Sequence, residues 1–143
     1  MSDNKRTLVE EFFREVCNGR KLALADNLFS PDHEYHDPTS PWVGRGPQGM
    51  KDLISAYQTG FPDAHWSIEE ILVAGDVVIT RWTGRGTHKR ELMGIAPMGK
   101  SVIVQGIWIH KVDGDRIVQS WNIWDALGMM QQLGVVPGFQ ASQ

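Results

Sequence analysis

The sequence predicts a small α+β protein of one domain, spanning residues 1–143, built around a curved antiparallel sheet. Three observations predict it. The chain has 143 residues, the size of one ordinary domain. Apolar positions before Phe61 recur at helical spacing, whereas those after His65 alternate as in strands. Two turn signals, Gly75-Asp76 and Asp113-Gly114, divide the second part into hairpins. Helices followed by strands place the helices on one side of an antiparallel sheet.

The first helix runs from about residue 4 to about 18. Leu8, Val9, Phe12, Phe13 and Val16 fall on one face, Asp3 can cap the start, and Gly19 stands where a helix ends. A short second helix covers Leu22, Ala25, Leu28 and Phe29 and stops near Pro31. His33 to Asp37 is a short extended segment. A Pro/Gly-rich loop from Pro38 to Gly49 leads to a third helix, which ends near Gly60. Met50, Leu53, Ile54 and Tyr57 form its apolar stripe. His65–Ala74 and Val77–His88 form the first hairpin. Glu91–Lys100 is a loop, and Ser101–Val112 pairs with Asp115–Asp125. Ala126–Leu133 is a closing helix.

Composition sets limits on function. Net charge is −3, with no broad basic field, so nucleic acid is excluded as a partner. No stretch approaches the ~18 apolar residues of a membrane helix, and the first residues do not read as a signal peptide. The cytoplasm is the expected location. The single cysteine, Cys17, allows no intrachain disulfide and reads as a small buried hydrophobe.

Strand alternation assigns faces. With Asp113-Gly114 as a two-residue turn, Val112 faces Asp115, Trp121 lies opposite Gly106, and Asp125 lies opposite Val102. One face then carries Val102, Val104, Gly106, Trp108, His110, Ile117, Gln119, Trp121, Ile123 and Asp125. Large aromatics beside a carboxylate and an imidazole make a plausible ligand pocket. The opposite face, with Ile103, Ile107, Ile109 and Trp124, is apolar for a surface. It predicts sheet-to-sheet pairing into a homodimer or higher homo-oligomer.

Asp125 is the expected acid/base residue, placed inside the cavity. It ends a strand among large apolar groups, where poor solvation favours proton transfer. Its alternative role is to cap the helix starting at Ala126. His110, on the same inferred face, is its expected partner. Arg81 lies mid-strand in an apolar run and is a candidate substrate contact. A cross-strand ion pair with Glu70 is its structural alternative. His33, Glu34, His36 and Asp37 form a polar cluster, but the two histidines are not at zinc-protease spacing and no metal is expected. His36 alone is expected to point into the cavity. Trp108, Trp121, Phe12 and Tyr57 are its expected walls. Gly44–Gly49 fits the letters of a dinucleotide fingerprint but lacks the preceding strand and the parallel βαβ context. Pro47 instead suits the first turn of a helix.

Several stretches together carry a resemblance: Phe61-Pro62-Asp63, Gly75-Asp76-Val77-Val78 leading to Arg81-Trp82-Thr83, and Gly86-Thr87-His88. Gly94-Ile95-Ala96-Pro97-Met98-Gly99-Lys100, Asp113-Gly114 with Ile117, and Trp121 with Asp125 and Gln132-Leu133-Gly134 complete the series. In this order they resemble the SnoaL-like polyketide cyclase family from about His36 to Gly134. The resemblance implies a cone-shaped α+β barrel, its sheet wrapped around the N-terminal helices, and a site that uses no cofactor. It implies intramolecular aldol closure of an aromatic polyketide ester, with an Asp matching Asp125 as acid/base and a nearby His. The sequence departs from the family at Lys89-Arg90 and at Ala96-Pro97-Met98-Gly99. An epoxide hydrolase, isomerase or hydroxylation factor on the same fold, and a non-catalytic carrier of an apolar or aromatic small molecule, are the alternatives. Epoxide opening would want a second acid, for which Glu70 is the obvious strand carboxylate.

Overall fold

The computed structural model describes residues 2–138, with side chains from residue 4 onward. Helix α1 (Ser2–Glu11) runs without a break into a wider π-helical segment, Phe12–Asn18. There the Gly19 amide reaches back five residues to the Arg14 carbonyl at 2.8 Å. A 3₁₀ turn (Leu22–Leu24) and a short α2 (Ala25–Leu28) follow. Strand β1 (Phe29–His36) starts earlier than the sequence suggests, and the second helix correspondingly ends before Phe29. Helix α3 spans Gly46–Gly60, with Pro47 in its first turn as expected. The helix already includes Asp3, whose predicted capping side chain lies outside the described residues.

Strands β2 (His65–Ala74), β3 (Val77–Thr87), β4 (Ser101–Asp113) and β5 (Arg116–Trp124) complete the sheet, and α4 (Ala126–Leu133) follows. The order is β1-β5-β4-β3-β2. Two corrections follow for the expected architecture. The β1–β5 pairing is parallel, so the sheet is mixed, with its other pairings antiparallel. The five strands form an open sheet, not a closed barrel.

The first hairpin has the expected register near its turn, with Ala74 opposite Val77 and Glu70 opposite Arg81, but a bulge at Glu69 shifts it beyond, so that Ile68 faces Trp82. The second departs from its turn onward. Its turn is Gly114-Asp115, because Asp113 still pairs with Arg116. A β-bulge then leaves Val118 without a partner: Val112 faces Ile117, but Lys111 faces Gln119. From there Trp108 faces Asn122 and Gly106 faces Trp124. Beyond Ile117, β5 therefore turns over relative to the expectation. Ser120, Asn122 and Trp124 share the inner face with Val102, Val104, Trp108 and His110. Gln119, Trp121 and Ile123 belong to the outer face.

The helices cover the inner face. Val9, Phe12, Phe13, Val16, Phe29, Met50, Leu53 and Ile54 pack against Val78, Trp82, Trp108 and Ile117 in one buried cluster. Among the described residues no helix is long and apolar enough to cross a membrane.

Candidate functional site

Between the helices and the wide half of the sheet lies a cavity. Its walls are aromatic: Phe13 from the π-helical segment, Tyr57 from α3, Trp82 from β3, Trp108 from β4 and Trp124 from β5. About 60 Å³ is open to the centres of water-sized spheres, room for more than one water molecule. Two glycines let the indoles lie close to the sheet. A Cβ at Gly106 would come within 2.6 Å of the Trp82 ring and 2.5 Å of Trp124 Cβ. One at Gly84 would meet the Trp82 and Trp66 rings at 3.0 and 3.3 Å.

Among the described residues one carboxylate lines this cavity, that of Asp37. It follows β1, is 7% exposed, and is anchored by an Asx turn across Pro38. The Thr39 amide and hydroxyl donate to Oδ1 at 2.8 and 2.7 Å. On Oδ2, the Tyr35 hydroxyl donates at 2.6 Å and the Trp124 indole N–H at 3.4 Å. The Tyr35 oxygen in turn accepts from Asn122 Nδ2 at 3.2 Å. The three side chains thus form one chain of hydrogen bonds, Asn122 to Tyr35 to Asp37, along the inner face.

Burial, the hydrogen bond to the Asp37 carboxylate and the carboxylate's charge together push the Tyr35 phenol above its ordinary range; the Asn122 bond opposes them only weakly. Burial first, then the Asp37 charge, push Tyr57 the same way. Both tyrosines are therefore neutral at physiological pH, and each keeps its hydroxyl proton.

The expected site residues separate. Asp125 is exposed and caps α4, accepting from the Gly128 amide at 2.8 Å. The structure thus corrects its placement in the cavity. The bulge-shifted register ends β5 at Trp124, and the carboxylate turns to the open amides of the helix behind it. His110 does not meet it. The Asp125 amide bonds the Gln105 carbonyl, whereas His110 pairs with Ser120, roughly 16 Å farther along β4 at about 3.3 Å per residue. His110 is fully buried, stacked on Trp108 with ring centroids 4.8 Å apart. Burial, with a lesser contribution from His33, pushes its pKa down to about 3. His33 is likewise held down, to about 4, by burial and then by His36; its Nε2 shares a 2.8 Å hydrogen bond with Ser120.

Trp108 and Tyr57 line the cavity as expected. Trp121 and His36 do not. They stack on each other at 5.2 Å, on the outer face that the shifted register gives Trp121, and His36 bonds Gln119 at 2.9 Å. Arg81 also faces outward, 3.5 Å from Glu70, so the ion-pair alternative describes it and Glu70 is not near the cavity. Phe12 is fully buried in the core, and its neighbour Phe13 supplies the wall. Sequence reasoning missed Tyr35, Asn122 and Trp124. It counted Asp37 only within a metal-like cluster. Among the described residues no three His, Cys, Asp or Glu side chains converge to hold a metal ion. The Asp-Pro-Thr run was the available signal for Asp37, since it favours an Asx turn with a fixed carboxylate.

Comparison with known proteins agrees with this architecture. TsrD from Streptomyces laurentii superposes with a TM-score of 0.85 at 25% identity, over 95% of this chain and 98% of that one. A candidate polyketide cyclase from Acidithiobacillus ferrooxidans gives 0.83 at 30% identity, over 94% and 97%. IdmH from Streptomyces antibioticus, also described as a candidate polyketide cyclase, gives 0.78 at 29%, over 91% and 98%. No functionally curated protein matches the chain. The family model for SnoaL-like polyketide cyclases matches residues 7–133, nearly the whole described chain, and with the helices-on-sheet fold around an aromatic cavity it makes this protein a member of the SnoaL-like polyketide cyclase family.

Proposed function

We propose that this protein is a cofactor-independent, cyclase-like enzyme that closes a ring in an aromatic polyketide ester by intramolecular aldol addition, with Asp37 as its acid/base. The observation that carries the reading is that Asp37 is, among the described residues, the one carboxylate lining a mainly apolar, aromatic cavity. A C–H between two carbonyls gives up its proton to Asp37 Oδ2, whose bond to the Trp124 indole is the long one at 3.4 Å. The carbanion attacks a ketone of the same molecule, and a C–C bond forms as the C=O π bond becomes an alkoxide. The proton on Asp37 then returns to the alkoxide, so the net change is an isomerisation. The neutral Tyr57 hydroxyl, on the same cavity wall, stabilises the developing oxyanion, while the Tyr35 hydroxyl holds Asp37 in place. The aromatic walls hold the chain folded and exclude water.

The test is a pair of variants assayed on aromatic β-keto esters, with product read as an isomer of unchanged mass. Asp37→Asn is expected to lower turnover by about two or more orders of magnitude. Asp125→Asn is expected to leave it within about twofold, because Asn also caps a helix. The opposite pattern would return the acid/base role to Asp125.

A second reading, a carrier of apolar small molecules, draws on the same carboxylate. Both Asp37 oxygens already have two partners, which suits a fixed structural anion. Ligand binding without turnover in wild type and both variants would favour it.

The outer face supports a further proposal, pairing of two copies. Leu72, Ile103, Ile107 and Ile123 are all exposed there, with Ile123 62% accessible. The Arg81–Glu70 pair among them is self-complementary across a two-fold axis.

A further inference from the structure

Asn122 is 5% exposed, and its Oδ1 is buried with no hydrogen-bond donor among the described residues. The orientation of the amide is fixed by chemistry. Tyr35 has one hydroxyl proton and directs it to Asp37 at 2.6 Å. Its oxygen can then only accept, so the group facing it at 3.2 Å must be the Asn122 N–H. A flipped amide would set two oxygens against each other. Oδ1 is therefore the free end, on a residue that lines the cavity beside Tyr35, Trp108 and Trp124. Leaving such an acceptor unsatisfied is costly, and a ligand donor removes that cost.

Asp37 competes less well for that donor, because each of its oxygens already has two partners and only the 3.4 Å bond from Trp124 is long. Thr39 supplies both partners of one oxygen, and Tyr35 and Trp124 those of the other. Tyr35 has spent its proton on Asp37 and one lone pair on Asn122. The acceptor on this wall left without a donor is Asn122 Oδ1.

We infer that Asn122 is a specificity-determining residue whose Oδ1 selects planar aromatic ligands bearing a hydroxyl donor, a phenol or an enol, over isosteric ones bearing a methyl. The inference rests on the cavity being the ligand site, as proposed above, but not on any turnover. A site built to bond a hydroxyl rejects the analogue that lacks it, because its own polar atom is then buried unpaired.

The test uses 2-naphthol and 2-methylnaphthalene, with dissociation constants from calorimetry at neutral pH. Wild type is expected to bind the naphthol about tenfold more tightly than the hydrocarbon. Asn122→Leu, nearly equal in volume, is expected to bring the two constants within about twofold while leaving the hydrocarbon's own affinity unchanged. Equal affinities in wild type, no binding of the naphthol, or a preference that survives Asn122→Leu would each overturn the inference. The wild-type comparison needs no variant, so it stands even where Asn122→Leu folds poorly. Binding with the expected preference but no turnover would sink the cyclase reading and leave this inference in place.

Discussion

Tyr35 donates its hydroxyl to Asp37 at 2.6 Å, from two residues earlier in the chain, and so ties the end of β1 to the loop that follows it. Tyr35→Phe removes that donor and also orphans the Asn122 N–H. The expected loss is about 1–3 kcal/mol of stability, read by urea unfolding. A loss below about 0.5 kcal/mol would mean that water replaces the hydroxyl freely.

Asp125 has a different office. Asp125→Ala removes the side-chain acceptor of the Gly128 amide at the start of α4. It is expected to cost about 0.5–2 kcal/mol. Turnover should change by no more than about twofold at a temperature where both proteins are folded.

Gly106→Ala would drive a methyl group into the Trp82 ring at 2.6 Å and against Trp124 Cβ at 2.5 Å. One indole must swing into the cavity. The expected result is a loss of about 1–3 kcal/mol in thermal unfolding, together with weaker binding of any aromatic ligand. Intact ligand affinity in this variant would show that the indoles move the other way.

The buried histidines make stability depend on pH. His110 and His33 sit at about 3 and about 4 in the fold, against an ordinary value of 6.5. As pH falls below 6.5, the unfolded chain takes up protons that the folded chain refuses. Stability is therefore full above about 6.5 and erodes down towards about 4 and then 3, by at most about 1.4 kcal/mol per pH unit for each histidine. His110→Phe keeps a ring against Trp108 and Phe12 but cannot titrate. Its urea midpoints between pH 7 and 5 should fall less steeply than those of wild type, and parallel curves would remove His110 as a cause.

For the outer sheet face, light scattering is expected to give twice the 16.1 kDa chain mass at micromolar concentration. Ile107→Asp, at an exposed position of that face, should return the monomer. A monomeric wild type would end the pairing proposal.

Much of the fold was legible because its signals are local. The apolar stripe of α3 placed its end at Gly60, although its first turn from Gly46 was read as loop, and the Gly75-Asp76 turn placed β2 and β3 within a residue. The inner residues of β4 were also assigned correctly, since alternation within one strand needs no partner. The candidate site was harder to read because it depends on how β5 sits against β4. Val118 leaves no mark in composition, and it alone moved Trp121 and Ile123 outward and Asn122 and Trp124 inward. A clue to the turn existed. Both hairpins carry a Gly-Asp pair with the glycine first, at φ +62° for Gly75 and +63° for Gly114. Reading Gly114-Asp115 by analogy with Gly75-Asp76 would have recovered part of the shift. The parallel pairing of β1 with β5 had no such clue. It joins segments more than eighty residues apart, as between Tyr35 and Ser120, and β1 is too short to show a pattern.

The unpaired Val118 also changes how this chain should be compared with others. A strand with one residue more than its partner works like a reading frame. Were Val118 to pair with Lys111, with no letter altered, Gln119, Trp121 and Ile123 would turn to the cavity and Ser120, Asn122 and Trp124 to the outer surface; deleting Val118 would instead straighten the strand and keep Asn122 opposite Trp108. Two sequences aligned letter for letter through this strand can therefore present opposite faces, if one has the extra residue and the other lacks it. Equivalence of residues in β5 has to be decided by pairing partner, with Asn122 matched to whatever stands opposite the counterpart of Trp108.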